Sequence, residues 1–440
     1  MGLELQRKPH WSAGSYLDLV MAAVLMQILF FFTAFWIATS GEDFYQHNLE
    51  EINYTLRIQL GLGWLMCILA GIGFSILPLI YDVPGFEKTL MRVYVGMNIF
   101  GQIAITVGII SADLSIYHSL TTVGITLLSA SVVCLWSPAI TIFKNKSENG
   151  NKVGPFSYAL GAFLPVLGMI VLLSWILRNN FSEALEISET IVFDLFFSLS
   201  MVAIIVSHIN RRLDWQIIKP ENTGKVFAIY ASLLILSVVS DPLYERGDLS
   251  QRVVAILKLI PYLFIFLMLN PKRIISNVRN KKPYKSMIIA SVFWIPLIGV
   301  ASYMETMRYV ETSGAMMSYY RWILIFGVAF QVFWGFIAYL HEDHKKTSAH
   351  SRKTHWFAFT AVNIGVIVTV YAMFASWKNG EVNENINRVG IGFYAISYFA
   401  ILVFWIKETF ISLYTWHKIP MFYDQYLANP EQGSGSHESD

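Results

Sequence analysis

The sequence predicts an all-α integral membrane protein, a twelve-transmembrane-helix bundle with both termini cytoplasmic, and three observations predict it. Only 14% of the 440 residues are charged and 55% are hydrophobic, whereas an ordinary soluble domain carries about 25% charged residues. The mean hydropathy is +0.51. That is more apolar residue than a soluble chain of this size can hide, because its surface needs polar cover. Finally, apolar stretches recur along the whole chain, and the basic residues collect in every second connection between them.

A membrane-crossing helix needs about 20 mostly apolar residues. Such stretches fall at 15–40, 57–80, 89–111, 119–143, 155–178, 187–208, 225–241, 252–270, 284–304, 318–340, 355–377 and 389–414. The first follows Arg7 and Lys8 without a small-residue cleavage site, so it reads as a retained anchor. No connection is long enough for a second domain, which makes 1–420 one membrane domain. The remainder, 421–440, closes with EQGSGSHESD and is expected to be a disordered cytoplasmic tail.

Orientation follows from the basic residues, which stay on the cytoplasmic side. The N-terminus and alternate connections hold 23 of the 32 Lys and Arg, among them Lys88, Arg92, Lys144, Arg211, Arg212, Lys272, Arg279, Lys345, Arg352 and Lys418. The opposite connections are acidic or neutral, as in GEDFYQHNLEE (41–51) and SEALEISE (182–189). A multi-pass protein of the cytoplasmic (plasma) membrane is expected, in contact with lipid. With 32 basic against 30 acidic residues, bulk positive charge for nucleic-acid binding is absent.

Motifs of soluble enzymes are missing: no GxGxxG after a strand, no P-loop, no HExxH. Cys67 and Cys134 lie in apolar runs with no CxxC, which suits small buried hydrophobes. None of the ten histidines falls in the middle of a stretch. The run HEDHKKTSAHSRKTH (341–355) is interleaved with cations and reads as a solvated loop near anionic headgroups, with a metal site as the lesser reading. Asn53 and Asn180 sit in short Asn-x-Ser/Thr patterns of little specificity.

Ionisable residues inside a bilayer are costly and therefore informative. Asp194 lies within the sixth stretch and Lys258 within the eighth; Arg57 and Arg321 open the second and tenth, and Glu305 ends the ninth. For Asp194, a proton or substrate role and a structural pairing are both open. Arg57, Arg321 and Glu305 suit side chains that snorkel to the outer boundary.

Several segments carry a family resemblance. KTHWFAFTAVNIGVIVTVYAMF (353–374) resembles the eleventh span of the heme-copper oxygen reductase (cytochrome oxidase) subunit I family, and YYRWILIFGVAFQVFWGFIAY (319–339) is similar to its tenth, with Gly327 and Gly335. FWIPLIGVASYMETMRYV (293–310) resembles the ninth span and its outer loop, and Asp241-Pro242 through Pro261 the seventh-to-eighth passage of the B-type branch. YTLRIQLGLGWLMCILAGIGFSILP (54–78) has the glycine-rich body and Leu-Pro exit of the second. Twelve spans with both termini inside is that family's topology.

The resemblance implies two hemes and a copper held by six histidines, and this chain departs from it at each. The second-span heme ligand maps to or near Arg57, and the tenth-span His-x-His to Tyr319 and Arg321. The sixth-span copper ligand maps to Ile191 or Val192 and its cross-linked tyrosine to Leu195 or Phe196; the seventh-span copper pair falls within 233–237, at Leu236 and Ser237. Arginine stays protonated and offers no lone pair to iron. The chain is therefore expected to bind neither heme nor copper in the family's way and to serve as a structural or regulatory subunit, a non-catalytic partner of other subunits in a respiratory membrane complex. The alternatives are a transporter or channel for a small or lipid-like solute, built on Asp194 and Lys258, and a heme-binding oxidase with unusual ligands such as Tyr319 or His118. Two arginines at the outer edge also call for an anion between them: Glu305, Glu311, a lipid phosphate or a cofactor propionate.

Overall fold

The computed structural model describes residues 22–23, 25–34, 36, 49–71, 88–111, 113–144, 155–181, 183–206, 218–241, 247–276, 283–310, 318–335, 349–380 and 384–416. Among them there is no strand. The helices are α1 (Leu25–Ala34), α2 (Leu49–Gly71), α3 (Lys88–Ile110), α4 (Leu114–Lys144), α5 (Pro155–Leu177) and α6 (Ala184–Ile204). They continue as α7 (Pro220–Val239), α8 (Asp248–Met268), α9 (Pro283–Thr306), α10 (319–335), α11 (Ala349–Asn379) and α12 (Glu384–Trp416), with a short helix, Pro271–Ser276, ahead of α9. Nine of the helices among the described residues are long and apolar enough to cross a membrane. The tail at 421–440, most of the basic connections, and the end of the sixth stretch with His208 lie outside the described residues.

Helix boundaries follow ordinary end chemistry. Pro220 starts α7, where its missing N–H costs nothing, and Asp248 starts α8, where its charge meets the positive end of the helix dipole. Two starts differ from the sequence expectation. Residues 41–51 and 182–189 read as outer loops, yet α2 begins at Leu49 and α6 at Ala184. Acidic side chains in a first turn are helix-favouring, so Glu50, Glu51 and Glu186 belong to the helices. The run at 341–355 is corrected likewise: its last seven residues open α11, and His355 is buried.

Burial separates centre from rim. The apolar part of α2 is 89% buried and that of α6 78%, against 22% for α7 and 28% for α8. Every residue of α10 from 323 to 335 is buried. α2, α6 and α10 thus form the middle of the bundle, while the rim helices turn Phe100, Met169, Val239, Leu267 and Phe399 outward, as lipid contact requires. The core between them is aromatic: Trp64 packs on Phe330 and Tyr398, and Phe326 stacks on Tyr394 at 4.2 Å between centroids.

Each of the three central helices contains one π-helical segment: Gln59–Leu65, Thr190–Phe197 and Ile323–Ala329. In α2 the N–H of Met66 reaches back five residues to Gly61, and in α10 that of Phe330 reaches Ile325. Backbone carbonyls at these wider turns take side-chain donors, as a bilayer interior without water demands. Leu62 O accepts from Asn98, Phe193 O from Ser198, and Gly327 O from Gln331. Gly61 allows the close approach of α2 to α6, since a Cβ there would lie 3.1 Å from Phe193 and 3.2 Å from Val192.

Candidate functional site: a buried ion cluster

The three central helices bring four charged residues together near the ends at which they begin: Arg57 from α2, Glu189 and Asp194 from α6, and Arg321 from α10. Arg57 on α2 donates to both oxygens of Glu189 on α6, at 3.0 and 2.7 Å. Arg321 on α10 donates to the same Glu189 Oε2 at 2.9 Å. Its Nε and Nη2 also grip Asp194, reaching Oδ1 and Oδ2 at 3.1 Å each. Tyr320 donates to Asp194 Oδ2 at 2.7 Å. The two-pronged contact matches the planar guanidinium to the planar carboxylate, the strongest geometry available to such a pair.

The π turn of α6 makes this possible. Residues five apart point about 140° away from each other on an α-helix, so Glu189 and Asp194 would face different neighbours. An i→i+5 turn brings such residues nearly above one another. One arginine can then hold both carboxylates. The chain spacing is equally regular, for Arg57 and Arg321 each lie 132 residues from Glu189.

Burial decides how much the cluster matters. The side chain of Arg321 is 7% exposed and that of Glu189 4%; Arg57 is half-buried at 21%. A charge taken this far from water is tolerated only with partners, and removing one partner from such a pair costs about 3–5 kcal/mol. Snorkelling therefore does not describe Arg321. The anion between the two arginines is Glu189, which lies where the acidic connection 182–189 overlaps the sixth apolar stretch, 187–208. Glu305 instead accepts from the backbone N–H of Tyr319 at 2.6 Å, and Glu311 lies outside the described residues.

Of the remaining expected positions, Ser237 and Lys258 meet Asp194 at one cavity and the others separate. The Tyr319 hydroxyl accepts from Asn387 on α12 at 3.2 Å. Val192 is fully buried against Gly61. Leu236 is 49% exposed on the rim, so it joins no interior site. Lys258 pairs with Asp241 at 2.6 Å. Beside that pair lies a cavity of about 20 Å³, lined by Asp194, Ser237, Asp241, Lys258, Tyr262 and Tyr320, enough for a water molecule. His118 sits apart, with Nδ1 3.1 Å from Arg178, whose guanidinium covers Trp175 at 3.9 Å and reaches Glu51 at 3.1 Å.

These residues do not fit the hemes and copper that the resemblance implies. Arg57 and Arg321 have no free lone pair and are taken by carboxylates. Val192 and Leu236 have no donor atom, and the hydroxyl of Ser237 is spent on Leu234 O at 2.7 Å. The site residues that sequence reasoning missed are Glu189, Tyr320, Thr190, whose Oγ1 accepts from Arg321 Nη2 at 3.4 Å, and Asp241 at the cavity. The sequence matches no protein-family model, and no curated protein shows significant similarity to it.

Proposed function

We propose that this chain is a cytochrome c oxidase subunit I-like membrane protein without heme or copper, serving as a structural or regulatory subunit of a respiratory complex in the cytoplasmic membrane. It crosses twelve times, with both termini on the cytoplasmic side. The topology rests on the twelve apolar stretches and the one-sided distribution of Lys and Arg.

One observation carries the non-catalytic reading. The positions where the family places its low-spin heme ligands hold Arg57 and Arg321, joined through Glu189. An ion cluster here ties three spans together and presents nothing to a metal. Visible spectroscopy of the purified protein with dithionite, alongside identification of co-purifying subunits, tests it. A colourless protein that brings respiratory subunits with it is expected; a reduced heme band at stoichiometric level refutes the reading.

The cavity beside Asp241 and Lys258 favours a second reading, a transporter for a small solute. Its mark would be a colourless protein that purifies alone and moves a solute into proteoliposomes, with Lys258→Met abolishing the movement.

A further inference from the structure

A second polar region lies between α1, α2 and α3, and every member of it is uncharged. Gln59, Asn98 and Gln102 have no exposed surface, and Thr33 and Thr106 are buried beside them. The amides are bound at one end only. Gln102 Nε2 donates to Gln59 O at 3.3 Å, and Asn98 Nδ2 to Leu62 O at 3.0 Å. Gln59 Nε2 donates to Gln102 O at 3.3 Å and to Thr106 Oγ1 at 3.0 Å, and Thr106 pairs with Thr33 at 3.0 Å.

The other ends have nothing. Gln59 Oε1, Asn98 Oδ1 and Gln102 Oε1 are all buried without a hydrogen-bond partner. Turning an amide over does not help, because it would set oxygen against a backbone carbonyl oxygen. Asn98 and Gln102 are one helical turn apart, about 6 Å of rise, and the reciprocal bonds between Gln59 and Gln102 hold the third amide alongside. Gly63 leaves the room that this needs, since a Cβ there would overlap Gln102 Nε2. Three buried acceptors in one stretch of membrane interior are a structural demand for donors.

We infer that this seam is a binding site for internal water, held by the amide oxygens of Gln59, Asn98 and Gln102. Water supplies donors to acceptors and brings no charge. A bare monovalent cation would bring one, and among the described residues the seam contains no carboxylate to balance it. Its continuation is polar too, for Asn98 Nδ2 and Cys67 Sγ each lie 3.4 Å from the Tyr94 hydroxyl. The site is independent of the oxidase-like reading.

X-ray radiolytic labelling of the full-length protein tests it, since hydroxyl radicals form from bound water where it lies. Tyr94 and Cys67 should be oxidised although they have no exposed surface, while Phe196, equally buried in an apolar setting, should not. Gln102→Leu should abolish the labelling of Tyr94, and Asn98→Leu serves the same end if that variant does not fold. Labelling of Tyr94 no greater than that of Phe196 overturns the inference in the wild-type protein alone. So does labelling that sodium chloride suppresses and choline chloride does not, which would assign the seam to a cation.

Discussion

The ion cluster and the amide seam solve the same problem in opposite ways. Both are built on a π turn of a central helix, both are buried, and both put polar atoms where lipid surrounds the bundle. In the cluster every charge has its partner within the protein: Glu189 takes two arginines, and Arg321 takes two carboxylates. In the seam the backbone is satisfied but three side-chain oxygens are not. The difference teaches that saturation, more than charge, separates a structural polar site from one that recruits a ligand. A closed cluster fixes spans; an open one binds.

The largest expected effect is on the closed side. Glu189→Ala leaves Arg57 without its carboxylate and Arg321 with Asp194 alone, a loss of about 3–5 kcal/mol. Thermal unfolding followed by tryptophan fluorescence should show little folded protein in detergent. A midpoint like that of the wild type would mean that the cluster does not hold the spans.

Next comes the packing of the seam. Gly63→Ala forces Gln102 aside and should cost about 1–3 kcal/mol. Gly96→Ala, on the same helix as Gln102 but facing open space, should stay within about 0.5 kcal/mol of the wild type. Equal effects at the two glycines would contradict the tight fit described for Gly63.

The smallest effect belongs to the rim. Lys258 and Asp241 keep 23% and 36% of their side chains exposed, against 4% for Glu189, so Lys258→Met should cost less than Glu189→Ala. A larger loss would place this pair with the closed cluster.

Much of the helical architecture is legible in hydropathy, because lipid imposes long apolar runs whatever the tertiary contacts are. The charged members Arg57, Asp194 and Arg321 stand out for the same reason. Glu189 does not, since Ser188 and Thr190 flank it and Glu183 and Glu186 precede it, which reads as a solvated turn. The π turns are harder still. Glycines mark the one in α2, but TIVFDLFF in α6 contains none, and its geometry follows from tertiary contacts that a single chain segment does not encode. Asn98 and Gln102 escape a search for charge altogether, although an amide in a membrane interior makes the same demand for partners on a smaller scale.

The central claim is that Arg57, Glu189 and Arg321 act as one unit joining three spans. A double-mutant cycle measures this directly, comparing the unfolding free energies of Arg57→Met, Arg321→Met and the double variant. Because both arginines share Glu189, the two losses should fail to add by about 0.5–3 kcal/mol. Additivity to within about 0.3–0.5 kcal/mol would show two independent side chains and contradict the account.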